Sequence, residues 1–293
     1  MRYRAIENNG RIFPVRVMCR LLEVSESGFY AWIKRPESKR AGENRVLLVH
    51  IKAAFAEGRG NYGSPRVYEE LKDQGIKCSR HRVARLMRKH GIRAKKKRRY
   101  KVTTNSRHKY PMAANILGRE FKVDEPDKVW GSDLTYIPTE EGWLYLAALL
   151  DLNSRRCVGF SAEERIDAEL TKAALDMALG RRNPGAGLMH HSDRGKQYAC
   201  AGYQKLLREH KIQVSMSRKG DPYDNAPLES FFATLKKELI HHRKYKTREE
   251  AKADIFEYIE VFYNRKRRHS SLGYLSPAEF EARQAAGMMS NAA

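Results

Sequence analysis

Beyond about residue 121 the sequence alternates short apolar runs with amphipathic stretches, and this alternation limits the fold more than any other feature. Predicted strands cover 129–137, 143–151, 156–162, 188–191 and 213–216, and predicted helices cover 168–179, 199–210, 226–240 and 248–263. Strands interleaved with helices are typical of an α/β domain. We therefore predict an α/β domain with C-terminal helices over residues 122–285, followed by a tail at 286–293.

The first third of the chain has helical periodicity instead. Val17, Leu21 and Leu22 repeat on one face of a first short helix, and Ser25 is a candidate N-cap for a second. Two short helices joined by a tight turn predict a helix-turn-helix-like segment over residues 1–43, with a purely structural helical hairpin as the alternative.

A second helix-turn-helix domain is predicted over residues 44–92. Ser64 and Ser79 are its candidate N-caps, and Val83, Leu86 and Met87 form the apolar stripe of its third helix. The residues expected to face the interior from its first helix, 45–57, are Val46, Val49 and Ala53.

Charge is distributed very unevenly along the chain. The net charge is +22, of which residues 1–110 carry 29 basic and 9 acidic side chains, whereas residues 111–293 carry 28 and 26. Basic clustering of this kind attracts a polyanion, nucleic acid more often than an anionic membrane surface. The front of the chain is therefore the predicted DNA-binding part.

Several basic groups are candidates for DNA contact. A basic helix behind a short turn suits a major-groove reader or a phosphate clamp, although an ordinary solvated helix has the same composition. The candidates on that helix are Arg80, Arg82, Arg85 and Arg88. The predicted linker, 93–121, would lie along a phosphate backbone through Lys95, Lys96, Lys97, Arg98 and Arg99. Further candidates are Arg218 and Lys219 in a glycine-containing loop, and Arg267 and Arg268, for which an ordinary basic helix end is the alternative.

Composition argues against a membrane or disulfide-rich protein. Mean hydropathy is −0.70, and the longest apolar stretch, 143–152, is far short of the ~20 residues that a membrane helix needs. The N-terminus has no apolar signal-peptide core, so we expect a soluble, cytoplasmic protein. The four cysteines are far apart in sequence, which favours reduced thiols.

Three carboxylates have positions that suit catalysis. Asp133 lies within a strand, Asp193 just past the end of a strand, and Glu229 on the first turns of a helix, at the edge of its apolar stripe. Acidic groups at strand ends and a helix edge can converge on Mg²⁺, which prefers oxygen ligands, and two such ions can assist an in-line phosphoryl displacement. Taken singly, each could equally be a surface or turn residue. We interpret Asp151 as structural or supporting. We interpret His190 and His191 as packed or solvated side chains, with an approach of one of them to the cleft as the alternative.

Four stretches carry a family resemblance. They are WGSDLTYIP (130–138), HSDRGKQY (191–198), SMSRKGDPYDNAPLESFFATLKKEL (215–239) and FYNRKRRHSSLGYLSPAEF (262–280). The sequence closely resembles the second-frame (OrfB) transposases of two-frame insertion sequences of the IS-three type, over nearly the whole chain. Those proteins are integrase-like DDE recombinases. The resemblance implies a ribonuclease H-like integrase core preceded by an all-α helix-turn-helix region.

The resemblance also implies a chemistry. Asp133, Asp193 and Glu229 match the catalytic, metal-binding triad, and Lys236 matches a basic residue that holds DNA seven positions after the glutamate. The implied cofactor is Mg²⁺ or Mn²⁺, with two ions. The implied reaction is strand cleavage at the element's ends by water, followed by attack of the freed 3′-hydroxyl on a second phosphodiester, with no covalent protein–DNA intermediate.

The resemblance implies partners and alternatives as well. The expected partners are terminal-repeat and target DNA, further copies of this chain in a synaptic complex, and an upstream-frame (OrfA) product or fusion, in the bacterial nucleoid and without a membrane. Two other functions compete: a DNA-binding regulator with an inactive core, and a nuclease of the ribonuclease H or Holliday-junction type. The intact triad argues against the first, and the basic front of the chain argues against the second.

Overall fold

The structure, a computed structural model, describes residues 1–95, 111–218 and 221–287. Among the described residues, six helices precede the sheet: α1 (Arg2–Asn9), α2 (Val15–Leu21), α3 (Glu26–Lys34), α4 (Lys39–Glu57), α5 (Ser64–Asp73) and α6 (Arg80–Lys89). The strands are β1 (Val129–Thr139), β2 (Gly142–Asp151), β3 (Cys157–Glu163), β4 (Met189–Ser192) and β5 (Gln213–Met216). The other helices are α7 (Ala168–Arg182), α8 (Lys196–Ala199), α9 (Ala201–Glu209), α10 (Ala226–Glu238), α11 (Arg248–Glu257) and α12 (Pro277–Ala285).

The five strands form one mixed sheet in the order β3-β2-β1-β4-β5. The first three are antiparallel neighbours joined by short turns, whereas β4 and β5 run parallel to β1 because helices carry the chain between them. The parallel register aligns Ser132 of β1 with Ser192 of β4. The next residue on each strand, Asp133 and Asp193, therefore lies at the same end of this strand pair. The predicted α/β fold is confirmed.

Helices cover both faces of the sheet. On one face, Leu175 of α7 and Tyr203 of α9 share a core with Trp130. On the other face, Leu228 of α10 and Ile255 of α11 belong to a second core. Between these two layers of helices, Asp133 of β1 is half-buried. None of the helices described is long and apolar enough to cross a bilayer.

The second helical unit, α4–α6, differs in one respect from the prediction. Leu47, Ile51 and Ala54 are the buried residues of α4, whereas Val46 and Val49 are 57% and 63% exposed. The prediction of Val46, Val49 and Ala53 as the inward face is therefore wrong. The buried residues have helical i, i+4, i+7 spacing and pack with α5, α6 and the sheet domain in one continuous core.

The helix boundaries of this region agree closely with expectation. Ser79 caps α6 by accepting a hydrogen bond from the Arg82 amide, and Val83, Leu86 and Met87 are buried, so both predictions are confirmed. By contrast, Gly63 is the N-cap of α5 and Ser64 is already helical, so the predicted cap is one residue too late.

The N-terminal unit is a small core of its own. Ser25 caps α3, since its hydroxyl accepts from the Gly28 amide at 3.1 Å, which confirms that prediction. The buried residues are Ile6, Met18, Cys19 and Phe29. The face of α2 that carries Val17 and Leu21 is exposed, and α1 has no counterpart in the sequence prediction.

Candidate active site

Asp133 and Asp193 are neighbours at the point where the parallel pairing of β1 with β4 ends. Both side chains are half-buried. Asp133 accepts a hydrogen bond from the Leu134 amide at 2.7 Å, and Asp193 accepts one from the Gly195 amide at 2.8 Å. Burial and the charge of Asp193 together raise the pKa of Asp133 well above its ordinary value. Two carboxylates held this close repel one another, so the pair favours a proton or a cation between them.

Glu229 approaches the pair from α10. The preceding residue, Leu228, is fully buried against Gly131 of β1, which seats the first turn of α10 beside the strand. Glu229 itself is exposed, and its charge contributes to the raised pKa of Asp133. Partial burial raises the pKa of Glu229 as well. The fold thus brings the three predicted carboxylates to one edge of the sheet.

The donor set fits a hard divalent cation. It consists of carboxylate oxygens alone, which is the chemistry that Mg²⁺ prefers, and a cation would relieve the repulsion at Asp133. Across residues 1–95, 111–218 and 221–287, no three His, Cys, Asp or Glu side chains are close enough to form a ready-made metal site. Glu229 is the most exposed of the three carboxylates.

Lys236 adds a positive charge beside the carboxylates. It lies two turns after Glu229 on α10, and its Nζ is 4.6 Å from the ring centroid of Tyr136 on β1. Burial lowers the pKa of Lys236, and the charges of Tyr136 and Asp133 oppose that effect. The ammonium group is thus held over β1, close enough to Asp133 for the two charges to interact.

Buried hydrogen bonds connect β1 and β4 to the surrounding elements. Ser132 donates to Tyr198 at 3.0 Å, and His190 Nε2 lies 2.9 Å from the Tyr203 hydroxyl. His191 bonds to Ser215 and to the Asp224 carbonyl. Both histidines are therefore packed side chains, as predicted.

Asp151 is also a structural residue, as predicted. Its side chain is fully buried and accepts hydrogen bonds from the amides of Asp127 and Ser154 at 2.7 and 2.8 Å. Burial raises the pKa of Asp151. Its carboxylate oxygens are occupied by these backbone amides at the end of β2.

Asp224 is a buried carboxylate whose role the sequence did not reveal. It accepts hydrogen bonds from the Arg218 amide at 2.8 Å, from Arg119 Nε at 2.7 Å and from Asn115 Nδ2 at 2.9 Å. The Arg218 guanidinium also bonds to it, and these contacts hold the pKa of Asp224 well below its ordinary value. The network fixes the segment before α10. The motif that contains Asp224 is visible in the sequence, but two of its partners lie more than 100 residues earlier.

The predicted DNA-binding residues of the front region have different environments. Arg80, Arg85 and Arg88 are exposed on α6. Arg82 is half-buried and bonds to Asn44 and Glu43. Lys95 donates to the Glu238 carbonyl at 3.0 Å, which fixes it against the α/β domain. Lys96, Lys97, Arg98, Arg99 and Lys219 lie outside the described residues.

Arg267 and Arg268 contradict the expectation of phosphate contacts. They are only 5% and 7% exposed. Arg267 forms a two-pronged ion pair with Glu238 at 2.8 and 2.9 Å. Arg268 pairs with Glu70 and Asp73 of α5, each at 2.6 Å. Both are structural ion-pair residues, because their guanidinium groups are already satisfied inside the protein.

Family comparisons cover most of the chain. An integrase core domain model matches residues 123–222, a second integrase core domain model matches residues 229–284, and an HTH-like domain model matches residues 42–100. Asp133 and Asp193 fall inside the first match and Glu229 begins the second.

Relatives from insertion sequences match this chain over nearly their whole length. The chain is 46% identical over 263 residues to an uncharacterized 31 kDa protein of insertion element IS600 from Shigella sonnei, covering 90% of this chain and 97% of that protein. It is 42% identical over 285 residues to the transposase InsF of insertion sequence IS3A from Escherichia coli K12, covering 96% and 98%. Among solved structures, the catalytic core domain of BIV integrase is 17% identical with a TM-score of 0.40, covering 55% of this chain and 98% of that one.

Proposed function

The chain belongs to the transposases of IS3-type insertion sequences, a family of DDE-type polynucleotidyl transferases, and from this premise we propose that Asp133, Asp193 and Glu229 are its catalytic triad. The observation that carries the proposal is the register of β1 and β4, which aligns Ser132 with Ser192 and so puts the two aspartates side by side. The contact of Leu228 with Gly131 then seats Glu229 near them.

The triad would hold Mg²⁺ or Mn²⁺, and we propose two ions. Asp133, Asp193 and Glu229 would hold these ions, because the charges of Asp193 and Glu229 both act on Asp133. When bound, such ions supply activation of the attacking oxygen and stabilisation of the leaving oxygen in phosphoryl transfer. The mutual repulsion that raises the pKa of Asp133 supports a site built for cations.

Two other features of the site would assist the reaction: Lys236 would bind the DNA, and the Asp224 network would position Glu229. Lys236, held over Tyr136, is placed to bind a phosphate near the scissile bond. The Asp224 network keeps the chain before α10 fixed, so that Glu229 meets the strand ends in one geometry. The proposed reaction is hydrolysis of a phosphodiester at an element end, which frees a 3′-hydroxyl, followed by attack of that hydroxyl on a phosphodiester of target DNA.

Recognition of the element ends is assigned to the helical front of the chain. Exposed Arg80, Arg85 and Arg88 form a basic face on α6, which suits contact with DNA phosphates or base edges. Two ends must meet in one complex, so we propose that the active form contains more than one copy of this chain. An upstream-frame product is a further proposed partner.

The test compares the wild-type chain with Glu229→Gln on the element's own end DNA in Mg²⁺ and Mn²⁺. An upstream-frame fusion of each protein is tested in parallel. The matched surface control is Glu209→Gln, whose side chain is exposed on α9. We expect metal-dependent nicking by the wild type and the control, and none by Glu229→Gln, with DNA affinity retained. Equal nicking by Glu229→Gln would exclude Glu229 from the triad. Binding without nicking by every form would favour a DNA-binding regulator instead.

A preference for an RNA–DNA hybrid over the element ends would favour a nuclease of the ribonuclease H type. The same reactions therefore include a hybrid of identical sequence. The wild-type chain is expected to cut the DNA ends at least as well as the hybrid.

A further inference from the structure

A polar cavity of about 350 Å³ lies where the helical front, the sheet and the C-terminal segment meet. It is bounded by Arg66 of α5, by Arg155 in the turn between β2 and β3, and by α10. Its volume falls in the lower part of the range of about 300–1,000 Å³ that ligand sites occupy. Exposed Ser230, Ser270 and Ser271 form its opening to solvent.

The cavity has an excess of positive charge. Arg66, Arg155 and Arg267 line it together with His269, and no carboxylate is among its described lining residues. Arg267 is neutralised by its ion pair with Glu238, which is not one of the described lining residues. Within the described residues, Arg66 and Arg155 form no ion pair. Arg66 lies 5.8 Å from the ring centroid of Tyr62, and Arg155 reaches only the Phe121 carbonyl, at 3.5 Å.

The pKa values of these groups agree with an excess of positive charge in the cavity. Burial and the nearby charge of Arg267 lower the pKa of Arg66 and outweigh the opposing charge of Glu238. Burial lowers the pKa of Arg155 too and outweighs the opposing charges of Tyr263 and Asp151. The pKa of His269 is well below its ordinary value because of burial and the charges of all three arginines. A partly buried cluster of like charges is costly without an anion to neutralise it.

The cavity is distinct from the catalytic edge. Pro227, Ser230 and Thr234 of α10 line it, and at 100° per residue they share one side of that helix. Glu229 and Lys236 lie on a different side of the helix. A ligand in the cavity would therefore contact α10 without occupying the triad.

We propose that this cavity is a phosphate-binding site, in which Arg66 and Arg155 neutralise the anion and the hydroxyls of Ser230 and Thr234 donate hydrogen bonds to it. The recognised chemistry is a phosphate group with its charge-dense oxygens, which forked guanidinium donors bind well. Two sources supply that chemistry: the backbone of bound DNA, and a free phosphate or nucleotide. The DNA source rests on the proposed function, whereas the site itself does not.

The first experiment measures the site without DNA or activity. The thermal midpoint of the full chain is followed in rising inorganic phosphate at constant ionic strength, with chloride as the balancing anion. A ligand that binds only the folded state raises the midpoint. We expect phosphate to raise it for the wild type and for Arg208→Met, an exposed arginine on α9 beyond the opposite face of the sheet.

The matched test variant is Arg66→Met/Arg155→Met, which keeps similar side-chain length and removes the charge. In chloride alone it should melt no lower than the wild type, because it relieves repulsion between buried cations. Its phosphate-dependent shift should be lost. A wild-type midpoint that does not respond to phosphate, or a response that the double variant retains in full, would overturn the proposal.

A second measurement identifies the source of the phosphate. The affinity for duplex end DNA is measured against salt concentration, where each phosphate contact contributes about 0.9 to the log–log slope. If DNA supplies the phosphate, the double variant loses about one to two such contacts. An unchanged slope together with a lost phosphate shift assigns the site to a free phosphate or nucleotide. Because Glu229→Gln retains the cavity, it should keep the phosphate response even if the proposed catalysis fails.

Discussion

Leu228 of α10 fills the space that a side chain on Gly131 of β1 would require. A Cβ placed on Gly131 would lie 2.4 Å from Leu228 Cδ2 and 3.2 Å from Leu152 Cδ2. Because Asp133 lies two residues beyond the glycine and Glu229 follows the leucine, this contact sets how closely the glutamate approaches the aspartates. A position that contributes no side chain therefore helps to place Glu229 beside the strand that carries Asp133.

Gly131→Ala should reduce metal-dependent cleavage although every triad residue remains. Overpacking of this kind costs about 1–3 kcal/mol of folding free energy, and the strain should displace the first turn of α10. The measurement is the nicking rate together with the free energy of unfolding from urea titration. Gly180→Ala is the control, because a Cβ there has nothing within 4 Å and lies within α7.

A double-mutant cycle with Leu228→Ala separates this packing effect from a general loss of stability. Gly131→Ala/Leu228→Ala should be less destabilised than the sum of the single variants, since the shortened side chain leaves room for the new methyl group. Strict additivity would contradict the proposed contact.

Asp224→Asn should destabilise the fold by about 1–3 kcal/mol, because a buried carboxylate loses charge-assisted hydrogen bonds to two partly exposed arginines. Arg218 and Arg119 would lose the buried carboxylate of Asp224 but would keep their ion pairs with Asp221. The measurement is urea unfolding. Glu209→Gln, which breaks an exposed ion pair with Lys205, should cost no more than about 0.5 kcal/mol.

The effect of Asp224→Asn should also depend on pH. The folded-state pKa of Asp224 lies below its ordinary value of 3.8, so its stabilisation is fully present above that value and is lost as the pH falls toward the folded pKa. The difference between the wild type and the variant should therefore narrow below about pH 4. A difference that stays constant there would show that charge is not its cause.

Much of the fold could be predicted because its patterns are local. The apolar runs of β1, β2 and β5 and the stripe of α10 each indicate their own element, and the structure confirms all four. For α4 the sequence offers two overlapping apolar stripes. Only the surface against which the helix packs selects Leu47 and Ile51 over Val46.

The environments of charged residues were harder to predict, because they depend on partners that are distant in sequence. The run that contains Arg267 and Arg268 has the composition of a solvated phosphate contact. Their partners Glu238 and Glu70 are 29 and 198 residues away, so no local pattern reveals the ion pairs. Asp133, Asp193 and Glu229 could be identified as candidates because a strand, a strand end and a helix edge restrict each carboxylate separately.

Arg268→Gln should separate a structural arginine from a DNA-binding one. Loss of the buried pairs with Glu70 and Asp73 should lower the free energy of unfolding by about 3–5 kcal/mol. Under conditions where the variant is folded, its salt dependence of DNA binding should match the wild type.

Arg85→Gln on the exposed face of α6 is the converse variant. Its unfolding free energy should stay within about 0.5 kcal/mol of the wild type, whereas its log–log salt slope should fall by about 0.9. A reduced slope for Arg268→Gln instead would restore Arg268 to the DNA interface.

His190 should make the chain lose stability in mild acid. Burial lowers the pKa of His190 to about 3, so between that value and about 6.5 the unfolded chain binds a proton that the folded chain does not. Stability from this group is therefore complete above about pH 6.5 and falls with decreasing pH, by up to about 1.4 kcal/mol per pH unit. His190→Gln should flatten the pH dependence of the unfolding free energy, measured by urea titration from pH 7 to pH 4.5. Tyr203→Phe removes the hydroxyl 2.9 Å from His190 but keeps the ring buried, so it should retain the wild-type slope. Loss of the slope in Tyr203→Phe would mean that the hydrogen bond, and not burial, controls the titration.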